Sequence, residues 1–224
     1  MRKKNITLTP DIYFENVPKT LNMNIRSELY STNEFTFAVA VILSAQATDK
    51  KVNEVSPELF RVAPTPDKML VLGIDKLKEY IKVISFFNNK ATNIIKLAEQ
   101  LKDKNSNDIN YKFPIKYHSR NELMKLAGVG QKTANVIMNV LWNAPNIGVD
   151  THVFRLSHRF GWTNESDNTP EKVEEKLLKI IPKKYHAITN HVMVLHGRYT
   201  CKALRPNCVN CPVAKWCNSA DKKI

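Results

Sequence analysis

The four cysteines of this chain are grouped in one short segment, where their thiols could bind a metal. They follow a C-x6-C-x2-C-x5-C pattern over 17 residues, at Cys201, Cys208, Cys211 and Cys217. Disulfides stabilise a fold by closing long loops, so a secreted framework would spread its cysteines through the chain. Four thiolates without a histidine suit either a zinc ion or an iron–sulfur cluster. The spacing alone leaves both metals open.

A second chemical signal is the segment LAGVGQKTAN at residues 126–135, where two glycines precede a lysine. The pattern predicts that a helix ends at Gly128, that a tight turn follows through Gly130, and that a new helix begins near Gln131. The first N–H groups of such a helix can bind a phosphate oxygen. The segment is therefore typical of a helix-hairpin-helix, which grips the DNA backbone, with an ordinary glycine-containing turn as the alternative.

A carboxylate follows this hairpin, in the segment VDTHVFR at residues 149–155. Either Asp150 or Thr151 is a suitable N-cap for another helix. His152 could orient the neighbouring carboxylate, but we favour the interpretation that it is a histidine at a helix start whose ring is satisfied by the backbone. Arg155 and Arg159 lie one helical turn apart and either contact phosphate or cover a surface.

Four segments together resemble the endonuclease III family of helix-hairpin-helix DNA glycosylases, in order and spacing, from about Phe35 to Cys217. They are the hairpin, the VDTH segment, the cysteine pattern and LSAQATD at residues 43–49. The resemblance implies that Lys132 is a nucleophile and Asp150 its acidic partner. It also implies a bifunctional enzyme that removes oxidised pyrimidines from duplex DNA and cleaves the strand 3′ to the abasic site. The adenine-specific branch of the superfamily lacks a lysine at this position.

The resemblance extends to DNA contacts. It implies that Gln46 enters the gap left by an extruded base, and that Phe86, where the family commonly has Leu, wedges from the other side; burial in the core is the alternative for Phe86 and Phe87. A further departure is Ala127, where the family usually has Pro. The remaining expected DNA contacts are the hairpin glycines and two cations between the first two cysteines, namely Gly128, Gly130, Lys202 and Arg205.

The same resemblance selects a [4Fe–4S] cluster over zinc for the four cysteines. The cluster would tie both ends of the basic loop at residues 202–207 and so present its cations to phosphates at little cost in ordering entropy. Because base excision transfers no electron, a role in folding and docking is sufficient.

Helical signals dominate the rest of the chain, and no convincing strand pair is present, so we expect an all-α fold. Two capping boxes are predicted, at Ser31 with Glu34 and at Ser119 with Glu122, and Pro begins helices after Thr65 and Thr169. We expect two domains, a six-helix barrel over 27–142 and a cluster domain formed by 1–26 with 143–224. The active site is expected where they meet.

Composition narrows the class of protein. The 224 residues carry 34 Lys and Arg against 21 Asp and Glu, a net charge of +13, and are 43% hydrophobic. This composition excludes a disordered or collagen-like chain, and the charge suits either DNA binding or simple solubility. With no membrane span and no secretion signal, a cytoplasmic, nucleoid-associated monomer is expected. A non-catalytic DNA-binding protein or an iron–sulfur electron carrier would each explain only part of these motifs.

Overall fold

The computed structural model describes residues 7–21 and 27–223, and the regular structure in those residues is entirely helical. The expected all-α fold is therefore confirmed. In chain order the α-helices are α1 Pro10–Asn16, α2 Glu34–Ser44, α3 Asp49–Val62, α4 Pro66–Leu72, α5 Ile74–Ile81, α6 Phe87–Gln100, α7 Arg120–Leu123, α8 Gln131–Trp142, α9 Thr151–Arg159, α10 Pro170–Ile180 and α11 His186–Tyr199. No helix within these residues is both long and apolar enough to span a bilayer.

The chain divides into two compact units, each with its own hydrophobic core. One unit is Ser27–Trp142, and the other joins Met1–Arg26 to Asn143–Ile224. The first contains α2 to α8. Its central element is α2, in which every residue from Phe35 to Leu43 is buried, because the apolar run surrounds the helix on all sides.

The second unit is built from α1, α9, α10 and α11. Its core includes Tyr13 of α1, Leu156 of α9 and Val192 of α11. The indole N–H of Trp162 donates to the carbonyl of Leu8 at 2.8 Å, which ties the N-terminal segment to this core. The cysteine segment follows α11 and contains only one short 3₁₀ turn, Ala214–Trp216. It therefore depends on contacts from elsewhere for its shape.

Most of the predicted helix starts are found, and one is wrong. Thr65 and Thr169 cap α4 and α10 with Pro in the first turn, and Ser119 accepts from the backbone N–H of Glu122 at 3.3 Å. The capping box predicted at Ser31 is instead formed by Asn33 with Thr36. Asn33 also donates to two distant carbonyls, those of Pro64 and Ile109. These tertiary contacts explain why Asn33 is the N-cap and the helix begins at Glu34.

Candidate functional site

The hairpin turn between α7 and α8 is held from both sides. Leu126 and Val129 are buried, so the turn is anchored in the core of its unit. The side-chain amide of Gln100 accepts from the N–H of Ala127 at 2.8 Å and donates to the carbonyl of Lys125 at 3.0 Å. Gln100 carries no motif that would have revealed this role in the sequence. The start of α8 thus follows a turn that two buried side chains and two hydrogen bonds hold in place.

The two hairpin glycines serve different purposes. Gly128 has a φ of +77°, and a Cβ added there would lie 3.1 Å from Cβ of Asn93, so the fold itself requires glycine. A Cβ at Gly130 would meet no heavy atom of the described residues within 4 Å beyond its chain neighbours. The fold does not require glycine at that position. Its bare backbone instead leaves open the approach to the first turn of α8.

Lys132 is the second residue of α8, and its side chain is exposed. The first N–H groups of a helix have no intrahelical acceptor, so this end of α8 can take up an anion. An exposed amine beside an anion-binding turn can reach a group on a bound phosphodiester chain. Lys132 belongs to the unit Ser27–Trp142, whereas Asp150 belongs to the other unit.

Gln46 and Phe86 share an unusual backbone. Their φ angles are 54° and 58°, in the left-handed region that side chains with a Cβ rarely adopt. Gln46 is exposed, and Phe86 is 63% exposed at the N-cap of α6, whereas Phe87 packs against the core. Burial in the core, the alternative considered for both phenylalanines, therefore does not hold for Phe86, whereas Phe87 is partly buried against the core. Each of the two exposed side chains projects from a tightly defined bend.

Asp150 is the N-cap of α9, as the sequence predicts. Its Oδ1 accepts from the backbone N–H groups of His152 and Val153, both at 2.9 Å, and Nδ1 of His152 lies 3.2 Å from Oδ2. The histidine therefore does contact the carboxylate. Three contacts hold the plane of the carboxylate, and its side chain remains partly accessible at 13% exposure.

The four cysteines line one cavity and are free of disulfides. Burial, with the neighbouring sulfurs of Cys201, Cys217 and Cys208, raises the pKa of the Cys211 thiol to about 11. The sulfurs are thus close enough to repel one another as thiolates, and a cation would relieve that repulsion. As they stand, no three His, Cys, Asp or Glu side chains among the described residues are placed to hold a single metal ion.

Arg155 and Arg159 explain how the cysteine segment keeps its shape. Arg159 donates to the carbonyls of Lys202 and Ala203, both at 2.7 Å, and its Nη1 lies 3.5 Å from Sγ of Cys201. Arg155 donates to the carbonyls of Gly197 and Cys201, at 2.9 and 3.1 Å. Neither role proposed from the sequence, phosphate contact or surface cover, describes them. In the sequence, only their spacing of one helical turn indicated that the two arginines share a role.

His196 of α11 lies against a cysteine, although no motif in the sequence marks it. Its Nδ1 is 3.0 Å from the hydroxyl of Tyr13, and its Nε2 is 3.5 Å from Sγ of Cys211. Burial lowers the pKa of His196 to about 4, so the ring is neutral at pH 7.

Lys202 and Arg205 are exposed on the loop that follows the first cysteine. Sequence reasoning identified these cations but not the groups that hold their loop.

Comparisons with known proteins show the family to which this chain belongs. A family model described as "HhH-GPD superfamily base excision DNA repair protein" matches residues 39–183. The endonuclease III of Rickettsia conorii is 47% identical over 197 residues, which cover 88% of this chain and 90% of that relative. The endonuclease III of Haemophilus influenzae is 44% identical over 201 residues, which cover 90% of this chain and 91% of that relative. A solved complex of a trapped endonuclease III–DNA covalent intermediate with an estranged adenine has a TM-score of 0.79 and 40% identity, covering 95% of this chain and 97% of that one. The chain belongs to the HhH-GPD superfamily of base excision DNA repair proteins and, within it, to the endonuclease III family.

Proposed function

We propose that this chain is a bifunctional DNA glycosylase and abasic-site lyase that acts on oxidised pyrimidines in duplex DNA. The observation that carries the proposal is the exposed Lys132 in the first turn of α8, behind a turn that is open at Gly130. A relative that is 40% identical forms a covalent intermediate with DNA. An amine at this position supplies the nucleophile that such an intermediate requires.

Lys132 carries out both steps of the reaction. The neutral amine attacks C1′ of the damaged nucleotide, the glycosidic bond breaks, and the base leaves with the bonding electrons. The resulting amine adduct opens to a Schiff base, which acidifies the proton on C2′. Loss of that proton expels the 3′ phosphate by β-elimination, and water then hydrolyses the imine to release the lysine. The strand is therefore cleaved 3′ to the abasic site.

Asp150 is the acidic partner in this proposal. A carboxylate can accept the proton of the attacking amine or stabilise the positive charge that develops on the sugar. The contacts from His152 and Val153 hold the carboxylate in one orientation, which suits either role. His152 then positions the carboxylate and takes no part in the chemistry.

DNA is held by two kinds of group. The hairpin binds the backbone through N–H groups beside Gly128 and Gly130, and Lys202 and Arg205 add cations that pair with phosphates. Gln46 and Phe86 enter the stack and replace the extruded base, whose removal costs a few kcal/mol. The exposure of both side chains supports this role.

The four cysteines hold a [4Fe–4S] cluster in this proposal. The four thiols line a common cavity, and in the endonuclease III family cysteines in this pattern hold a [4Fe–4S] cluster in preference to zinc. A bound cluster would cross-link the cysteine segment, and the neutral His196 would then donate from Nε2 to the thiolate of Cys211 and accept from Tyr13.

The test uses an abasic-site duplex and borohydride, which reduces a Schiff base to a stable adduct. The wild-type protein should form the covalent complex and cleave the strand. Lys132→Ala should lose both by at least about a thousandfold, because no other group replaces the amine. Lys179→Ala, which removes an exposed lysine paired with Glu175 on α10, is the matched control and should behave as wild type. Adduct formation by Lys132→Ala would overturn the assignment of the nucleophile.

The same assay separates the alternative classes. A non-catalytic DNA-binding protein would bind the duplex without forming an adduct, and an iron–sulfur electron carrier would do neither.

We also propose that the protein acts as a monomer on nucleoid DNA in the cytoplasm, in keeping with the bacterial origin of its relatives. Visible absorption and iron content of the purified protein distinguish the cluster from zinc.

A further inference from the structure

Lys90 is a buried lysine that connects two segments of the unit Ser27–Trp142. It lies in the first turn of α6 and is only 6% exposed. Its Nζ donates to the carbonyl of Leu43 at 2.8 Å and to that of Ala45 at 2.6 Å. These carbonyls belong to the last turn and the C-cap of α2, directly before Gln46. The side chain therefore reaches from α6 to the bend that presents Gln46.

The main chain of the same residue is tied to Phe86. The backbone N–H of Lys90 donates to the carbonyl of Phe86 at 3.1 Å and closes the first turn of α6. Phe86 is the N-cap of that helix, in the left-handed conformation. One residue thus contacts the Phe86 segment through its backbone and the Gln46 segment through its ammonium group.

The position of Lys90 does not favour α6 itself. A cation in the first turn of a helix faces the positive end of the helix dipole. Burial removes the ammonium group from water and lowers the pKa of Lys90. The compensating interaction is with α2, whose C-terminal carbonyls lack intrahelical donors and attract a cation. The net result is an added tie between the ends of two helices, α2 and α6, that also pack against each other in the core.

The two segments have the same backbone strain. Gln46 and Phe86 are two of the three non-glycine residues with positive φ in the described part of the chain. The third is Asn143, a residue type that tolerates this conformation. A left-handed Gln or Phe persists only where the surroundings hold it. Lys90 contacts the chain next to both.

We propose that Lys90 is a positioning residue for base extrusion, which holds the Gln46 and Phe86 segments in register so that both side chains enter the DNA stack together. The inference rests on the proposed function, in which these two side chains replace the extruded base. It adds that their action is coupled through one buried ammonium group. Lys90 itself touches neither the base nor the sugar in this scheme.

The test compares Lys90→Met with Lys96→Met in the full-length, cluster-loaded protein. Lys96 is exposed on the same helix, so its removal costs the same charge without the two carbonyl contacts. On a duplex containing an oxidised pyrimidine, Lys90→Met should excise the base about 100-fold more slowly, because a misplaced wedge leaves the base stacked. On a single strand with a preformed abasic site it should stay within about twofold of wild type, since no stack is opened. Lys96→Met should match wild type on both.

Two further readouts distinguish positioning from general stability. A 2-aminopurine placed opposite the lesion brightens when it is unstacked, and Lys90→Met should lose this rise while Lys96→Met keeps it. In the Phe86→Ala background, removal of Lys90 should slow duplex excision by no more than about threefold, because loss of Phe86 has already broken the paired entry that Lys90 aligns. Independent losses that multiply would contradict the coupling.

The outcomes are distinct. Equal loss on both substrates, or no loss on the duplex, overturns the role of Lys90. If Lys90→Met does not fold, the same comparison is made with Lys90→Gln, whose shorter amide keeps a donor; failure of both variants to fold also overturns the proposal, because the lysine then serves folding alone. A wild-type protein that cleaves neither substrate contradicts the proposed enzyme and not this inference.

Discussion

The two units of the molecule hold their candidate functional groups in different ways. In Ser27–Trp142 these groups lie at the ends of helices, where turn geometry and capping set their positions: Gly130 and Lys132 at the start of α8, Phe86 at the start of α6, and Gln46 after the end of α2. In the other unit the cysteine segment contains little regular structure. Its carbonyls are held by Arg155 and Arg159 of α9, and His196 of α11 lies against one of its sulfurs.

This difference separates local from distant control. A helix end takes its basic geometry from a few consecutive residues, and distant contacts such as those of Gln100 and Lys90 then support it. The cysteine segment is defined by contacts such as Arg159 to Lys202, 43 residues apart, and by the metal group proposed for it. We therefore expect a substitution in the cysteine segment to change the structure of that segment and to leave α2 to α8 unaffected.

The largest expected effect is on the cysteine unit. Cys211→Ser removes one of the four proposed ligands, and the cluster should be lost, with its visible absorption and iron content. Amide hydrogen exchange should then accelerate in residues 200–217 while α2 to α8 keep their protection. Ser219→Ala, which changes the lining of the same cavity without removing a thiol, should retain the cluster. A fully loaded Cys211→Ser protein would contradict the ligand assignment.

Asp150 allows the helix cap to be separated from the chemistry. Asn is as good an N-cap as Asp, so Asp150→Asn should keep the free energy of unfolding within about 0.5 kcal/mol while base excision slows by about a hundredfold or more. Asp150→Ala should lose the same activity and, in addition, about 1 kcal/mol of stability. Chemical denaturation and single-turnover excision measure the two effects. Full activity in Asp150→Asn would show that this residue serves only as the N-cap of α9.

The hairpin glycines form a matched pair. Gly130→Ala should leave the free energy of unfolding unchanged but weaken binding to duplex DNA about tenfold, because the added methyl group lies where a phosphate approaches. Gly128→Ala should lower the free energy of unfolding by about 1 to 2 kcal/mol, since an L side chain is strained at its positive φ. Equilibrium binding and denaturation on both variants check the contrast. Equal effects of the two changes on binding would remove the distinction between them.

The smallest expected effect concerns the loop cations. Arg159→Met keeps Lys202 and Arg205 in the chain but removes the contacts that fix their loop. DNA binding should weaken about threefold, and the slope of log affinity against log salt should fall by about 1 to 2. Asp221→Asn breaks only the ion pair of Arg159 with a mostly exposed carboxylate and should cost under about 1 kcal/mol of stability. An unchanged salt slope in Arg159→Met would show that this loop does not contact phosphate.

How much could be predicted varies along the chain for a physical reason. The starts of α4, α8, α9 and α10 follow from residues within one helical turn, such as Thr65 before Pro66 and the cap at Asp150. The start of α2 was misplaced by two residues because Asn33 reaches Pro64 and Ile109, which no local pattern contains. The role of Gln100 could not be predicted for the same reason, because its partners Lys125 and Ala127 become its neighbours only after folding.

The amino-acid sequence by itself determined the helical class, the glycine turn before Lys132 and the grouping of four thiols, because each depends on residues that are close along the chain. Only the tertiary structure decided that Gln46 and Phe86 share a strained backbone, that Lys90 connects their segments across 47 residues, and that Arg155 and Arg159 hold the cysteine segment. These contacts satisfy backbone carbonyls with buried cations. Every residue offers the same carbonyl, so the sequence carries no mark of which one a distant side chain will reach.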